Sequence, residues 1–204
     1  MFVGECGSGT PNTKLESEAH GGNMRALRIF CVAAAVLFGV VTVDRAQQGQ
    51  PSDAAYIAQA LSAAPKSVAA GAAVVRMGKD GSMTTLRAGK NGFTCMVMGT
   101  DRMCNDANSM EFIHAMMNHT QPPNKVGLSY MLVGDKGASN TDPAATGKTA
   151  TNHWVVTGPH IMLFGPAAKT LGYSEAPDAD PSKPYMMWAG TPYEHAMIPV
   201  DAQK

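Results

Sequence analysis

The chain has 204 residues, with 16 basic and 16 acidic side chains and therefore a formal net charge of zero. A neutral chain without basic clusters lacks the electrostatic footprint of nucleic-acid binding, so we expect no nucleic-acid partner. The length is sufficient for one folded domain with a single core.

The N-terminal region predicts an export signal. A basic start at residues 24–28 runs into 15 uncharged, mainly apolar residues at 29–43, which is the n-region and h-region pattern of a secretory signal peptide. A spanning helix needs about 20 such residues, so we expect no stable membrane anchor after cleavage. We assign residues 1–46 to a leader, with Met24 as the alternative true start. Residues 47–204 then form a single exported domain, periplasmic or secreted in a bacterium.

Two of the four cysteines, Cys95 and Cys104, lie in the exported domain. A disulfide is the usual state of such a pair in an oxidising compartment. The alternative is a redox-active or metal-binding pair, but the spacing is not the C-x-x-C of an oxidoreductase. We therefore predict one structural disulfide.

The first half of the domain alternates between helix and strand signals. Ser52 is a candidate N-cap for a first helix, which Pro65 ends. Gly78–Gly81 separates two β-type runs and indicates a hairpin, and a third strand follows over residues 93–98. A second helix is expected over about 107–119, so the disulfide would join the third strand to the loop that enters this helix.

The second half is dominated by strand signals. We expect strands over 126–133, 154–156, 160–164, 185–188 and 195–198, and a short helix over 166–171. A polar loop over 134–152 is long enough to suggest a functional or mobile segment. Helices at the edges of a run of strands predict an α+β fold: a mainly antiparallel sheet, two to three flanking helices and one disulfide.

A repeated triplet carries the candidate metal site. His160-Ile161-Met162 and His195-Ala196-Met197 share the pattern His-x-Met. On a strand, residues i and i+2 point to the same face, so each triplet presents an imidazole and a thioether together. If the two strands are neighbours, His160, Met162, His195 and Met197 converge, and this ligand set suits copper, especially Cu(I). Methionine is also a common core filler, so a purely structural role is the alternative.

A second group of the same residue types lies on the second predicted helix. Met110, His114 and Met117 are spaced i, i+4 and i+7 and share a helix face, whereas His119 points elsewhere. A core stripe with a flanking histidine is the simpler interpretation of this group.

Aromatic residues indicate where a pocket could lie. Trp154, Tyr185, Trp188 and Tyr193 concentrate in the second half of the domain with three histidines. A ligand pocket lined by these rings and bordered by the 134–152 loop is one interpretation, and an ordinary aromatic core is the other.

Four short stretches stand out along the domain: Asn91-Gly92-Phe93-Thr94-Cys95-Met96, Ser139-Asn140-Thr141-Asp142-Pro143, Gly158-Pro159-His160-Ile161-Met162 and Gly190-Thr191-Pro192-Tyr193-Glu194-His195. They resemble those of an uncharacterised family of exported bacterial proteins, over most of residues 52–200. The resemblance implies a bacterial, exported, single-domain protein and brings no activity, cofactor or fold.

The sequence thus predicts a protein that binds a small molecule or a soft metal ion without catalysis, with copper as the candidate ion. A second possibility is a hydrolase-like enzyme that uses His160 or His195 as its base, although no Gly-x-Ser-x-Gly motif is present. A Glu194–His195 dyad is not expected, because adjacent strand residues face opposite ways. A third possibility is a structural or partner-binding envelope protein, whose partner the sequence does not indicate.

Overall fold

The computed structural model describes residues 51–201. The predicted leader and the alternative start at Met24 lie outside the described residues. Within residues 51–201, no helix is both long and apolar enough to cross a membrane.

The helices begin where the sequence provides caps. The Ser52 hydroxyl accepts a hydrogen bond from the Ala55 amide, and the Asp106 carboxylate accepts one from the Ser109 amide, which satisfies amides that a helix start leaves unpaired. The helices are α1 (Asp53–Leu61), α2 (Lys66–Ala69), α3 (Ala107–Met117) and a 3₁₀ helix (Pro166–Leu171). The predicted helix over 107–119 therefore ends two residues early.

Ten strands form the rest of the described fold. They are β1 (Ala73–Met77), β2 (Met83–Arg87), β3 (Thr94–Met98), β4 (Asp101–Asn105), β5 (Gly127–Met131), β6 (Ala138–Ser139), β7 (Trp154–Val155), β8 (His160–Phe164), β9 (Tyr185–Met187) and β10 (His195–Pro199). Eight of them make one sheet in the order β2-β1-β3-β4-β5-β8-β10-β9, and β6 pairs with β7. Every pairing is antiparallel except β1 with β3, so the predicted α+β fold with a mainly antiparallel sheet is confirmed.

The predicted disulfide is present, but its surroundings differ from the expectation. Cys95 and Cys104 face each other across β3 and β4 with an S–S distance of 2.05 Å. The segment before α3, which we expected to be a loop, is the strand β4. Asp101 and Asn105, at the two ends of β4, are residue types of low strand propensity, so the sequence does not indicate this strand. It forms because Gly99, at φ +61°, turns the chain back so that β4 pairs with β3.

The two faces of the sheet carry separate cores. Cys95 and Cys104 pack with α1 residues such as Tyr56, whereas Met96 packs with α3 residues such as Phe112. Neighbouring strand residues face opposite sides, so α1 and α3 cover opposite faces. The α3 face continues across β5, β8, β10 and β9 and holds the candidate site.

Candidate functional site

A cavity of about 320 Å³ lies on the α3 face of the sheet. Thioether side chains dominate its lining: Met98, Met103, Met116, Met131, Met162, Met187 and Met197. Both histidines of the His-x-Met triplets also line it. A concave apolar site with a few polar groups is the usual form of a ligand pocket.

Strands β8 and β10 are neighbours, which is the condition for the two triplets to meet. Met162 and Met197 are directly opposite each other in the antiparallel register. The histidines are not: His160 is opposite Pro199, and His195 is opposite Phe164. Four strand residues, or about 13 Å, therefore separate the levels of the two histidine backbones. The structure places all four predicted residues around one cavity, with the methionine pair between the two histidines.

The strands on either side of the β8–β10 pair add a methionine opposite each histidine. Met131 on β5 is directly opposite His160, and Met187 on β9 is directly opposite His195. Directly opposite residues have Cβ atoms about 4.5–5.5 Å apart. We name the group of His160, Met131 and Met162 the His160 corner. The group of His195, Met187 and Met197 is the His195 corner.

Sequence reasoning missed Met131 and Met187. Both lie in segments predicted as strands, and the Met186-Met187 doublet by itself favours a core role. Only the register of β5 against β8 and of β9 against β10 shows that each faces a histidine.

Each imidazole is oriented by a local hydrogen bond of the same kind. His160 Nδ1 lies 2.7 Å from the Gly158 carbonyl oxygen, and His195 Nδ1 lies 2.9 Å from the Tyr193 carbonyl oxygen. A carbonyl can only accept, so Nδ1 carries the hydrogen in both rings and Nε2 presents a lone pair. His160 Nε2 is buried and has no hydrogen-bond partner among the described residues. A backbone carbonyl that holds Nδ1 in this way is typical of histidines that bind metal ions through Nε2.

Burial keeps both imidazoles uncharged. It lowers the pKa of His195 to about 4, against the opposing effect of the hydrogen bond to the Tyr193 carbonyl. Burial likewise lowers the pKa of His160, and the hydrogen bond to Gly158 and the nearby carboxylate of Asp135 offset this only in part. Both rings are therefore neutral at pH 7, which is the state that can donate a lone pair to a ligand.

A carboxylate shares the His160 end of the cavity. Asp135 Oδ1 accepts hydrogen bonds of 2.9 Å from the Gly137 and Thr157 amides. Burial raises the pKa of Asp135, and no hydrogen bond joins it to His160. In the described structure it joins the turn after β5 to the segment between β7 and β8.

Part of the predicted aromatic lining is in place. The Trp188 ring lines the cavity and packs edge-on against the His195 ring, with 4.9 Å between the ring centroids. Trp154 lines a separate pocket. The sequence did not single out Phe112 and Phe164, whose rings stack with 4.4 Å between their centroids. Both rings lie next to the His195 ring in the cavity lining.

The 134–152 loop borders this cavity. Trp188 has a left-handed backbone with φ +58°, which costs energy for a bulky residue. Two hydrogen bonds to the loop hold it there: the indole Nε1 donates to the Ser139 carbonyl and the amide donates to the Asn140 carbonyl. Pro143 then reaches the cavity wall.

The described residues contain a hydrogen-bonded histidine–carboxylate pair, but not in this cavity. His153 Nδ1 lies 2.8 Å from Asp178 Oδ1, and the Asp178 side chain is 91% exposed. Glu194 pairs with Lys169 and makes no hydrogen bond to its neighbour His195 in the described structure.

Within residues 51–201, no group of three or more His, Cys, Asp or Glu side chains is placed to hold a metal ion. Searches against protein-family models, curated proteins and solved structures found no match to the chain.

Proposed function

We propose that the protein binds a soft metal ion, with Cu(I) as the first candidate, in the methionine-lined cavity. The observation that carries the proposal is the His160 Nε2 atom, which is buried without a partner among the described residues, in a cavity that Met131 and Met162 also line. An unsatisfied buried acceptor costs about 1–3 kcal/mol, and a bound cation would remove that cost. The His195 corner repeats the same ligand types around a second neutral imidazole.

The ligand types favour copper over harder ions. Thioether and imidazole ligands suit Cu(I), whereas Mg²⁺ and Ca²⁺ prefer oxygen ligands. Cys95 and Cys104 are joined in a disulfide, so thiolates are unavailable in the described part of the chain. Each corner supplies one nitrogen and two sulfurs. The separation along the strands favours two binding positions over the single four-ligand site that the sequence predicted.

We further propose that this binding takes place outside the cytoplasm, in the bacterial periplasm or after secretion. The disulfide supports an oxidising compartment. The predicted signal peptide and the resemblance to exported bacterial proteins point the same way and remain predictions.

Competition for Cu(I) tests the proposed function. The protein, expressed from the full chain, is titrated against a chromogenic Cu(I) chelator with ascorbate present. Met131→Leu combined with Met162→Leu removes two sulfurs at nearly constant volume. We expect the parent to retain one or two equivalents and the double variant to lose at least tenfold in affinity at the His160 corner.

Met186→Leu is the matched control. Met186 is equally buried but belongs to the core cluster on the opposite sheet face, with Ala168 and Ala196. It should bind Cu(I) like the parent. Failure of the parent to compete for Cu(I), or equal losses in the control and the double variant, would rule out the proposal.

The size of the cavity favours a second candidate, a small apolar molecule. About 320 Å³ is more space than an ion needs and lies at the lower end of the range for small-molecule sites. The ligand would donate a hydrogen bond to His160 Nε2. The Met131→Leu and Met162→Leu changes preserve the apolar lining, so they would leave binding of a fluorescent apolar probe unchanged while weakening Cu(I) binding at the His160 corner.

Hydrolysis and partner binding have less support from the geometry. For a hydrolase, His160 and His195 are each oriented by a backbone carbonyl and not by a carboxylate. Among residues 51–201, the histidine hydrogen-bonded to a carboxylate is His153, which lies outside the cavity. For a partner-binding role, a concave cavity is a less suitable feature than a flat apolar surface.

A further inference from the structure

A surface groove of about 550 Å³ is formed by α3, the segment 120–123 that follows it and Met83 of the edge strand β2. Met83 of β2 and Met110 and His114 of α3 line it. Met83 is 40% exposed and His114 is also exposed, so the groove is open to solvent. It is separate from the cavity, because the cavity lining contains none of these three residues.

Two further thioethers belong to α3 and the β1–β2 hairpin but are not part of the groove lining. Met117 follows His114 by three residues on the same face of α3 and is 36% exposed. Its terminal methyl lies 3.8 Å from the position that a Cβ on Gly81 would occupy, so α3 meets the turn between β1 and β2. Met77 is directly opposite Met83 in the β1–β2 register.

We propose that this groove is a second soft-metal site, in which the His114 imidazole and the thioethers of Met83, Met110 and Met117 bind Cu(I) or Ag(I). This site does not depend on the proposed function of the cavity. The helix spacing of Met110, His114 and Met117 brings an imidazole and two thioethers to one helix face, and the β1–β2 hairpin brings Met83 to the other side of the groove. Imidazole and thioether together are ligands for a soft ion.

The carboxylate that lines the groove is already paired. Glu111 accepts hydrogen bonds of 2.7 Å from Lys125 Nζ through both of its oxygens. A cation in the groove therefore depends on soft ligands and not on a free carboxylate at this position. Since three of its four ligands are exposed, the site would exchange its ion with solution faster than a buried site.

Methionine methyl NMR separates the groove site from the cavity site. The full-chain protein, labelled with ¹³C at the methionine ε-methyl groups, is titrated with Ag(I), which is redox-inert. We expect the signals of Met83, Met110 and Met117 to shift together and to saturate at one equivalent bound at the groove. His114→Ala should lower the apparent affinity of these signals at least tenfold, whereas His119→Ala, just beyond the end of the same helix, should not.

Each result has one consequence. If only the cavity signals, such as that of Met162, respond to Ag(I), the groove proposal is wrong and the cavity proposal stands. If the groove signals respond alone, the groove proposal stands and the cavity proposal loses its support. Groove signals that respond equally in the His114→Ala and His119→Ala variants would indicate unspecific thioether binding and would overturn the site.

Discussion

Acidification should destabilise the protein through His195. This side chain is 2% exposed, and burial lowers its pKa from 6.5 to about 4. Because the folded-state pKa lies below the unfolded one, the unfolded chain takes up the proton first as the pH falls. The stabilising contribution is therefore complete above about pH 6.5 and is lost as the pH falls toward 4.

The size of the effect follows from the two pKa values. From pH 7, one such group lowers the free energy of unfolding by about 2 kcal/mol at pH 5 and by about 3 kcal/mol at pH 4. His160, whose pKa burial also lowers, acts in the same direction. Asp135 acts in the opposite direction, because its raised pKa lets the folded state take up a proton before the unfolded chain does.

Urea unfolding at pH 7 and pH 5 measures the sum of these effects, and an NMR titration of the imidazole signals isolates His195. We expect a lower urea midpoint at pH 5 and a His195 signal that remains that of the neutral ring down to about pH 4. His195→Gln should weaken the pH dependence, whereas His153→Gln, at a partly exposed position outside the cavity, should not. A His195 ring that titrates near pH 6.5 would refute the reasoning.

Three further changes test different parts of the fold by urea unfolding. Replacing both Cys95 and Cys104 by alanine should cost about 2–3 kcal/mol, because the crosslink closes a short loop; an unchanged midpoint would contradict this. Gly165→Ala should lower the free energy of unfolding by about 1–3 kcal/mol or more, because Gly165 has φ +97° and an added Cβ would clash with the Lys125 carbonyl. A variant as stable as the parent would contradict this expectation. Phe112→Ala should cost about 3–5 kcal/mol, because the ring is 3% exposed and covers the cavity; a loss below about 1 kcal/mol would show that this packing is wrong.

Local signals predicted most of the elements. Ser52 and Asp106 cap the helices that the sequence indicated, and the hairpin around Gly81 is present as β1 and β2. These features depend on contacts within a few residues, so the sequence alone is informative about them. The strand β4 was missed because its polar residues are stabilised by pairing with β3 and β5, which lie on either side of it in the sheet.

Part of the candidate site could likewise be predicted from local patterns, and part of it could not. The His-x-Met spacing predicted that His160 and Met162 share one face, because the alternation of side chains along a strand is a local property. The sequence could not show that Met131 faces His160 or that Met187 faces His195. Those neighbours depend on which strands are adjacent and on their register.

By itself the sequence determined the mixed helix and strand composition, the cysteine pair and the two repeated triplets. It did so because capping, alternation and turn formation act over a few residues. Only the tertiary structure decided that the triplets lie on neighbouring strands around one cavity, and that the methionine pair separates the two histidines. The physical reason is that strand order and register minimise the free energy of the whole sheet, so no single segment encodes them.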